Sequence, residues 1–305
     1  MLYVVTGGAG FIGTNIAHTL LAQGHTVRVV DNFSTGKRER LHPQAELFEI
    51  DVRDYNALMK AFSGADGVFH TAALARMPLS VEKPIETNDV NVGGTVTVLK
   101  AAVDAGVKRV VYSASSSAYG LQDQLPYVET MTPRPMSPYG LQKLVNEEYC
   151  RLFHELYGLE TVSLRYFNVY GGKWQSADGA YPLVIALFLK QKKEGAPLTI
   201  CGDGEYFRDY THVTDVVDAN LRAMTTPGIG HGEMFNIGAG HNHSVNELAV
   251  MLGGPTVFIP PRPGDPRTTL ANNTKAREIL GWEPKVTLEE GVRDLLDLHG
   301  FQERM

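Results

Sequence analysis

Two residues four apart pose the first chemical question. In "SPYGLQK", Tyr139 and Lys143 stand one helical turn apart, and Ser137-Pro138 is well suited to start that helix. On a helix both side chains lie on one face. Free tyrosine has a pKa of about 10 and is a poor base at neutral pH. A lysine ammonium beside it stabilises the phenolate and makes the pair a plausible general acid–base. Taken alone, a Tyr-x-x-x-Lys pair is usually a surface contact. A second stretch, "SASSSAYG" over 113–120, follows the apolar run "VKRVVY". It reads either as a solvated turn or as hydroxyls of which one does chemistry, and the stretch alone does not choose.

A third feature supplies the context. "VVTGGAGFIG" places Gly7, Gly10 and Gly13 between an apolar strand pattern and the helical pattern "FIGTNIAHTLLAQG". In that helix Ile12, Ile16, Leu20 and Leu21 fit helical spacing, and Gly24 is placed to end it. A turn without side chains lets the backbone approach a pyrophosphate at a helix N-terminus, where N–H groups and the dipole favour negative charge. The next strand, "TVRVVD", ends in Asp31, at the spacing where a carboxylate accepts hydrogen bonds from an adenosine ribose and repels a 2′-phosphate. NAD is therefore expected rather than NADP. Lys37 and Arg38 could instead accept a phosphate, but a solvated basic loop is the simpler account. An oxidised nicotinamide is cationic and would lower the Tyr139 pKa further, making it the acid–base for a hydroxyl beside a hydride-transfer carbon.

The elements that must position these residues are legible as periodicity. "LYVV", "TVRVV", "LFEI", "GVFH", "RVVYS" and "TVSLRYF" read as mostly apolar strands alternating with helical patterns. That argues for a parallel sheet covered on both faces, hence a doubly wound α/β (Rossmann) fold. After about Asn168, Gly- and Pro-rich segments alternate with single helices such as "SVNELAVML" and "NTKAREIL". The expected division is a dinucleotide-binding domain over 1–167 plus about 212–240. A smaller interleaved α/β substrate lobe takes about 168–211 plus 241–305.

Bulk properties set limits. The 305 residues carry a formal net charge of −6, which gives no general attraction to nucleic acid or an anionic membrane. Cys150 and Cys201 lack metal-ligand spacing and read as free thiols, and no metal site is expected. With no signal-peptide pattern and no spanning apolar stretch, the expectation is a cytoplasmic protein.

"TGGAGFIG", "DNFSTG", "HTAALARMPLS", "SASSSAYG", "SPYGLQK", "LRYFNVYG" and "RPGD" follow in order along nearly the whole chain. As a set they resemble the extended short-chain dehydrogenase/reductase superfamily, and most closely its UDP-hexose 4-epimerases. The resemblance implies that Gly7, Gly10, Phe11, Ile12 and Gly13 hold the NAD pyrophosphate, and Asp31, Asn32 and Ser34 the adenosine ribose and nearby phosphate. Asp51 and Val52 would flank the adenine, while Ala72, Ala73 and Asn88 would line the nicotinamide side. Tyr139 and Lys143 would double as cofactor ligands, with Tyr166 against the nicotinamide. Asn168 would bind the UDP moiety, and Arg208, Arg262 and Asp265 would grip the diphosphate and uridine ribose. Two arginines would give an acidic protein what a diphosphate needs.

By the same resemblance, Ser115 is the hydroxyl that meets the sugar O4 and helps pass its proton to Tyr139. Ser116 and Ser117 would sit beside the sugar. Related nucleotide-sugar dehydratases carry acidic residues there, and UDP-glucuronate decarboxylases a Glu at the second position. Without a carboxylate, elimination loses its acid and base, whereas epimerisation needs neither. Thr269 falls where a bulkier side chain limits space around the sugar C2 substituent, which tilts the expectation towards UDP-N-acetylglucosamine/UDP-N-acetylgalactosamine, with UDP-glucose/UDP-galactose alongside. Ala75-Arg76 departs from the polar or small residues usual beside the sugar. A decarboxylase, a dehydratase or a non-catalytic NAD-sensing protein are the competing readings. The resemblance also implies a homodimer through a four-helix bundle, built from helices around Asn88–Ala105 and Pro138–Tyr157.

Overall fold

The computed structural model describes residues 1–75, 77–175, 177, 183–261 and 266–301. The chain opens with β1 (Leu2–Thr6), α1 (Phe11–Ala22), β2 (Thr26–Val30), β3 (Glu46–Phe48), α2 (Tyr55–Phe62) and β4 (Gly67–His70). Then come α3 (Met77–Glu82), α4 (Pro84–Asn88), a π-helical turn at Asp89–Gly93, and α5 (Gly94–Asp104). β5 (Arg109–Ser115), α6 (Pro138–Tyr157), β6 (Glu160–Tyr166), β7 (Val169–Tyr170), α7 (Val184–Lys193) and β8 (Leu198–Cys201) follow. The remainder is β9 (Phe207–Asp209), β10 (Thr211–His212), α8 (Val213–Thr225), β11 (His231–Ile237), β12 (Asn242–Ser244), α9 (Val245–Leu252), β13 (Thr256–Ile259), α10 (Thr274–Leu280) and α11 (Leu288–Leu298).

Seven strands form one sheet in the order β11-β6-β5-β4-β1-β2-β3, every pair parallel. The doubly wound fold expected from the sequence is the one observed. Alternation along a strand explains its two-sided burial. Val5 joins a core with Ile16, Leu20, Val216 and Phe235, whereas Val4 joins another with Leu58, Phe62, Val98 and Phe153. A third core, including Phe188, Ile200, Leu248 and Leu295, lies between α7, β8, α9 and α11. The segment through α10 and Trp282, which the sequence reading placed with the smaller lobe, packs into the first core. There the Trp282 indole donates to the Asp215 carbonyl at 2.9 Å.

One helix differs from its expected form. The pattern over Asn88–Ala105 reads as continuous, but the structure divides it into α4, the π turn and α5. The extra residue of a π turn re-aims side chains. It turns Asn91 inward, where its carboxamide accepts from the Leu74 N–H at 2.7 Å and donates to Gln142 Oε1 at 2.8 Å. Both cysteines are free thiols. Among the described residues, no helix is long and apolar enough to cross a membrane.

Candidate active site

β1 and β4 are neighbours, yet the chain leaves them towards opposite edges of the sheet, so a crevice opens at their C-terminal ends. The glycine loop fills one wall. Gly7 has φ +68°, and a Cβ there would stand 2.7 Å from the Ala72 backbone. A Cβ on Gly13 would lie 2.3 Å from the Gly7 carbonyl oxygen and 2.7 Å from Thr71 Oγ1. α1 starts at Gly10 with no side-chain cap and no acidic residue in its first turn, so its N-terminal N–H groups face a site suited to an anion. This close backbone cradle fits a pyrophosphate. Gly13→Ala is expected to cost about 1–3 kcal/mol, read as a lower thermal midpoint and loss of dinucleotide from the purified protein.

At the tip of β2, Asp31 is 8% exposed. Burial pushes its carboxyl pKa up, while N–H groups of Phe33 (2.8 Å) and Ala9 (2.9 Å) hold it down. The carboxylate thus also ties the glycine loop to the second strand. Asn32 donates to Asp51 at 2.9 Å and accepts from the Ser34 N–H at 3.0 Å. The Arg53 guanidinium keeps Asp51 near a pKa of about 2. Val52 is buried beside Gly94. Arg38 is ion-paired with Glu49 and stacks over Phe33, in keeping with a solvated basic loop.

The tyrosine–lysine pair sits at the start of α6. Ser137 caps that helix, accepting from the Gly140 N–H at 3.1 Å, and Ser80 from α3 accepts from the Tyr139 N–H at 3.0 Å. Ser115, at the end of β5, is the neighbour that favours ionisation of the Tyr139 phenol. Lys143 is 4% exposed and donates to the Ser113 carbonyl at 2.6 Å. Its Nζ lies 5.8 Å from the Tyr139 ring centroid. Burial draws Lys143 down to a pKa of about 8 against the opposing pull of Glu147.

Here the sequence expectation needs correcting. Lys143 was expected to lower the Tyr139 pKa, but burial pushes that phenol up to about 12 and Ser115 opposes the rise. One of the lysine's three N–H groups goes to the Ser113 carbonyl. A positive charge brought close by a ligand would favour ionisation of Tyr139.

Other expected residues fall into two groups. Ala72 lies against the glycine loop, its N–H directed to Thr6 Oγ1 at 3.4 Å, and Ala73 follows it. Tyr166 bonds Ser113 Oγ at 3.1 Å and Asn220 at 3.0 Å. Asn88 is exposed at the end of α4, and the asparagine turned inward nearby is Asn91. The second group meets at β9. Asn168, at the unusual φ of +28°, donates to the Asp209 carbonyl at 2.8 Å. Arg208 donates to the Phe207 carbonyl at 2.9 Å, and Thr269 donates its N–H to the same carbonyl at 3.1 Å. Thr269 is 8% exposed, and its Oγ1 has no partner among the described residues. Arg262, Asp265 and Arg76 lie outside the described residues.

Sequence reasoning missed Ser80, Ser113 and the pair beneath α6. There Arg165 makes two hydrogen bonds to Glu147, at 2.8 and 2.6 Å, with side chains 0% and 2% exposed. Arg165 also lies 4.3 Å over the Tyr119 ring. Glu147 at one helical turn from Lys143 was the available signal.

The model of the NAD dependent epimerase/dehydratase family matches residues 3–238. A UDP-glucose 4-epimerase of Mycolicibacterium smegmatis is 39% identical, over 96% of this chain and 96% of its own. The crystal structure of UDP-glucose 4-epimerase from Thermotoga maritima, with UDP-glucose, superposes with a TM-score of 0.93 at 41% identity, covering 97% of this chain and 98% of that one. A UDP-N-acetylglucosamine 4-epimerase from Methanobrevibacter ruminantium, in complex with UDP-N-acetylmuramic acid, gives 0.91 at 33% identity, covering 97% and 96%.

Proposed function

Because the chain belongs to the NAD dependent epimerase/dehydratase family, we propose that it interconverts the C4 epimers of a UDP-hexose, with NAD held through turnover. The observation that carries this reading is Tyr139 with Lys143 Nζ 5.8 Å from its ring, in the same domain as the glycine cradle. Bound NAD supplies a hydride acceptor and then donor, together with a positive charge that favours ionisation of Tyr139. As a phenolate, Tyr139 takes the proton of the sugar O4 while C4 gives up its hydride, leaving a C4 ketone. Anchored by its diphosphate, the ketone turns over and receives hydride on its other face as Tyr139 returns the proton. There is no net redox change. Serine at 116 and 117 leaves no carboxylate beside the sugar for an elimination.

For the cofactor we assign Gly7, Gly10, Phe11, Ile12, Gly13, Asp31, Asn32, Ser34, Asp51, Val52, Ala72, Ala73 and Tyr166, with Asn91 preferred to Asn88 for its inward carboxamide. The uridine diphosphate falls to Asn168 and Arg208, joined by Arg262 and Asp265. We keep the division into a larger domain and an interleaved lobe, with 274–282 assigned to the larger one because Ala276, Leu280 and Trp282 pack into the first core. Homodimerisation through α5 and α6 is part of the same proposal. Thr269, small where the family resemblance expects a bulkier side chain, supports room for a C2 acetamido group. We therefore assign UDP-N-acetylglucosamine/UDP-N-acetylgalactosamine, alongside UDP-glucose/UDP-galactose.

Incubating the purified protein separately with UDP-glucose and UDP-N-acetylglucosamine, and resolving each from its C4 epimer, tests this. Conversion of both is expected. Turnover of UDP-glucose alone removes the acetamido assignment. Protein isolated without NAD, and inactive on every UDP-hexose after NAD is added, sinks the reading.

A further inference from the structure

We propose that Ser117 is a positioning residue that fixes Ser115 as a hydrogen-bond donor only, so that the O4 proton passes directly to Tyr139 and never through Ser115. The inference rests on the epimerase reading above and concerns how its acid–base group is set.

A serine hydroxyl offers one donor and two acceptor lone pairs. Ser115 ends β5 and caps the short turn that follows, accepting the Ser117 N–H at 3.2 Å. The Ser117 hydroxyl, folded back over the same turn, donates to Ser115 Oγ at 2.9 Å. Both lone pairs of Ser115 are then occupied by one residue, and only its own proton remains to be placed. That proton is the one group Ser115 has left to offer a phenolate or the sugar oxygen, and Ser115 is the neighbour that favours ionisation of Tyr139.

Two consequences follow for the reaction. A relay through Ser115 would require it to accept the O4 proton while giving its own to Tyr139, and it has no lone pair left for that. The sequence expectation that Ser115 helps pass the proton is therefore revised. The O4–H bond breaks as the Tyr139 O–H bond forms, and the electron pair left on O4 becomes the second bond of the C4 ketone as hydride departs. Throughout, Ser115 keeps its proton and donates to whichever of Tyr139 or O4 carries more negative charge. Ser117, read from sequence as a sugar-side residue, acts instead through its neighbour.

A double-mutant cycle separates the two roles. Ser117→Ala alone is expected to lower kcat about 3- to 10-fold, the size of one hydrogen bond, with KM for the UDP-sugar nearly unchanged. The acidic limb of the kcat–pH profile should move up, because the phenolate loses part of its support, and Ser117→Thr should restore both. In a Ser115→Ala background, adding Ser117→Ala should change nothing further. Effects that multiply across the cycle, a change in KM alone, or undiminished kcat in Ser117→Ala would overturn the proposal. Ser117→Cys, with similar bulk and a weaker donor, replaces the alanine if that variant does not fold. Wild-type protein that turns over no UDP-hexose would instead be a failure of the epimerase reading.

Discussion

Replacing Tyr139 by phenylalanine is expected to lower kcat by about 10²- to 10⁴-fold, the usual contribution of a positioned acid–base group, while leaving NAD bound. The substitution keeps the ring and removes one oxygen. The start of α6 is held through backbone amides, Tyr139 N–H to Ser80 and Gly140 N–H to Ser137, so the helix should begin where it does now. Lys143 bonds the Ser113 carbonyl rather than the phenol and should also stay in place. What disappears is the acceptor for the O4 proton. Steady-state rates together with NAD released on denaturation check the result, and a variant with full activity would refute the catalytic assignment.

Arg165→Met is expected to have the largest effect on stability, about 3–5 kcal/mol, measured from the chemical denaturation midpoint. Glu147 and Arg165 pair through two hydrogen bonds in a site where neither meets water, with Arg165 Nη1 left unpartnered among the described residues. Removing the arginine leaves a carboxylate that burial already pushes up in pKa, with its main counter-charge gone. Combining Arg165→Met with Glu147→Leu should recover much of the loss, since well-packed apolar groups often replace a buried ion pair at little cost. A single variant as stable as wild type would show that the pair is not sealed from solvent. The single change should also reduce kcat, because Lys143 is then the nearest cation to Glu147 and is drawn from the Ser113 carbonyl.

The sheet was legible because parallel strands are apolar on both faces, and runs such as "GVFH" and "RVVYS" can hardly be anything else. The glycine cradle was legible because a missing side chain is itself a signal, and Tyr139 and Lys143 because four residues is one helical turn. What the sequence hid is the direction of hydrogen bonds and contacts between distant segments. Nothing in "PYGLQK" says that the lysine will donate to a carbonyl 30 residues away, or that Ser80 will meet the Tyr139 amide across 59. Asn88 and Asn91 are equally polar in a helical pattern, and only the π turn decides which one faces inward. Likewise "SSS" names three hydroxyls but not which donates to which.

The central claim is that one hydride leaves C4 and returns to C4 of the same sugar while Tyr139 handles only the oxygen-bound proton. Incubation with UDP-glucose carrying deuterium at C4, followed by NMR of the UDP-galactose formed, tests it directly. Full retention of deuterium at C4 is predicted in ordinary water. Deuterium replaced at C4 by solvent hydrogen would contradict the account.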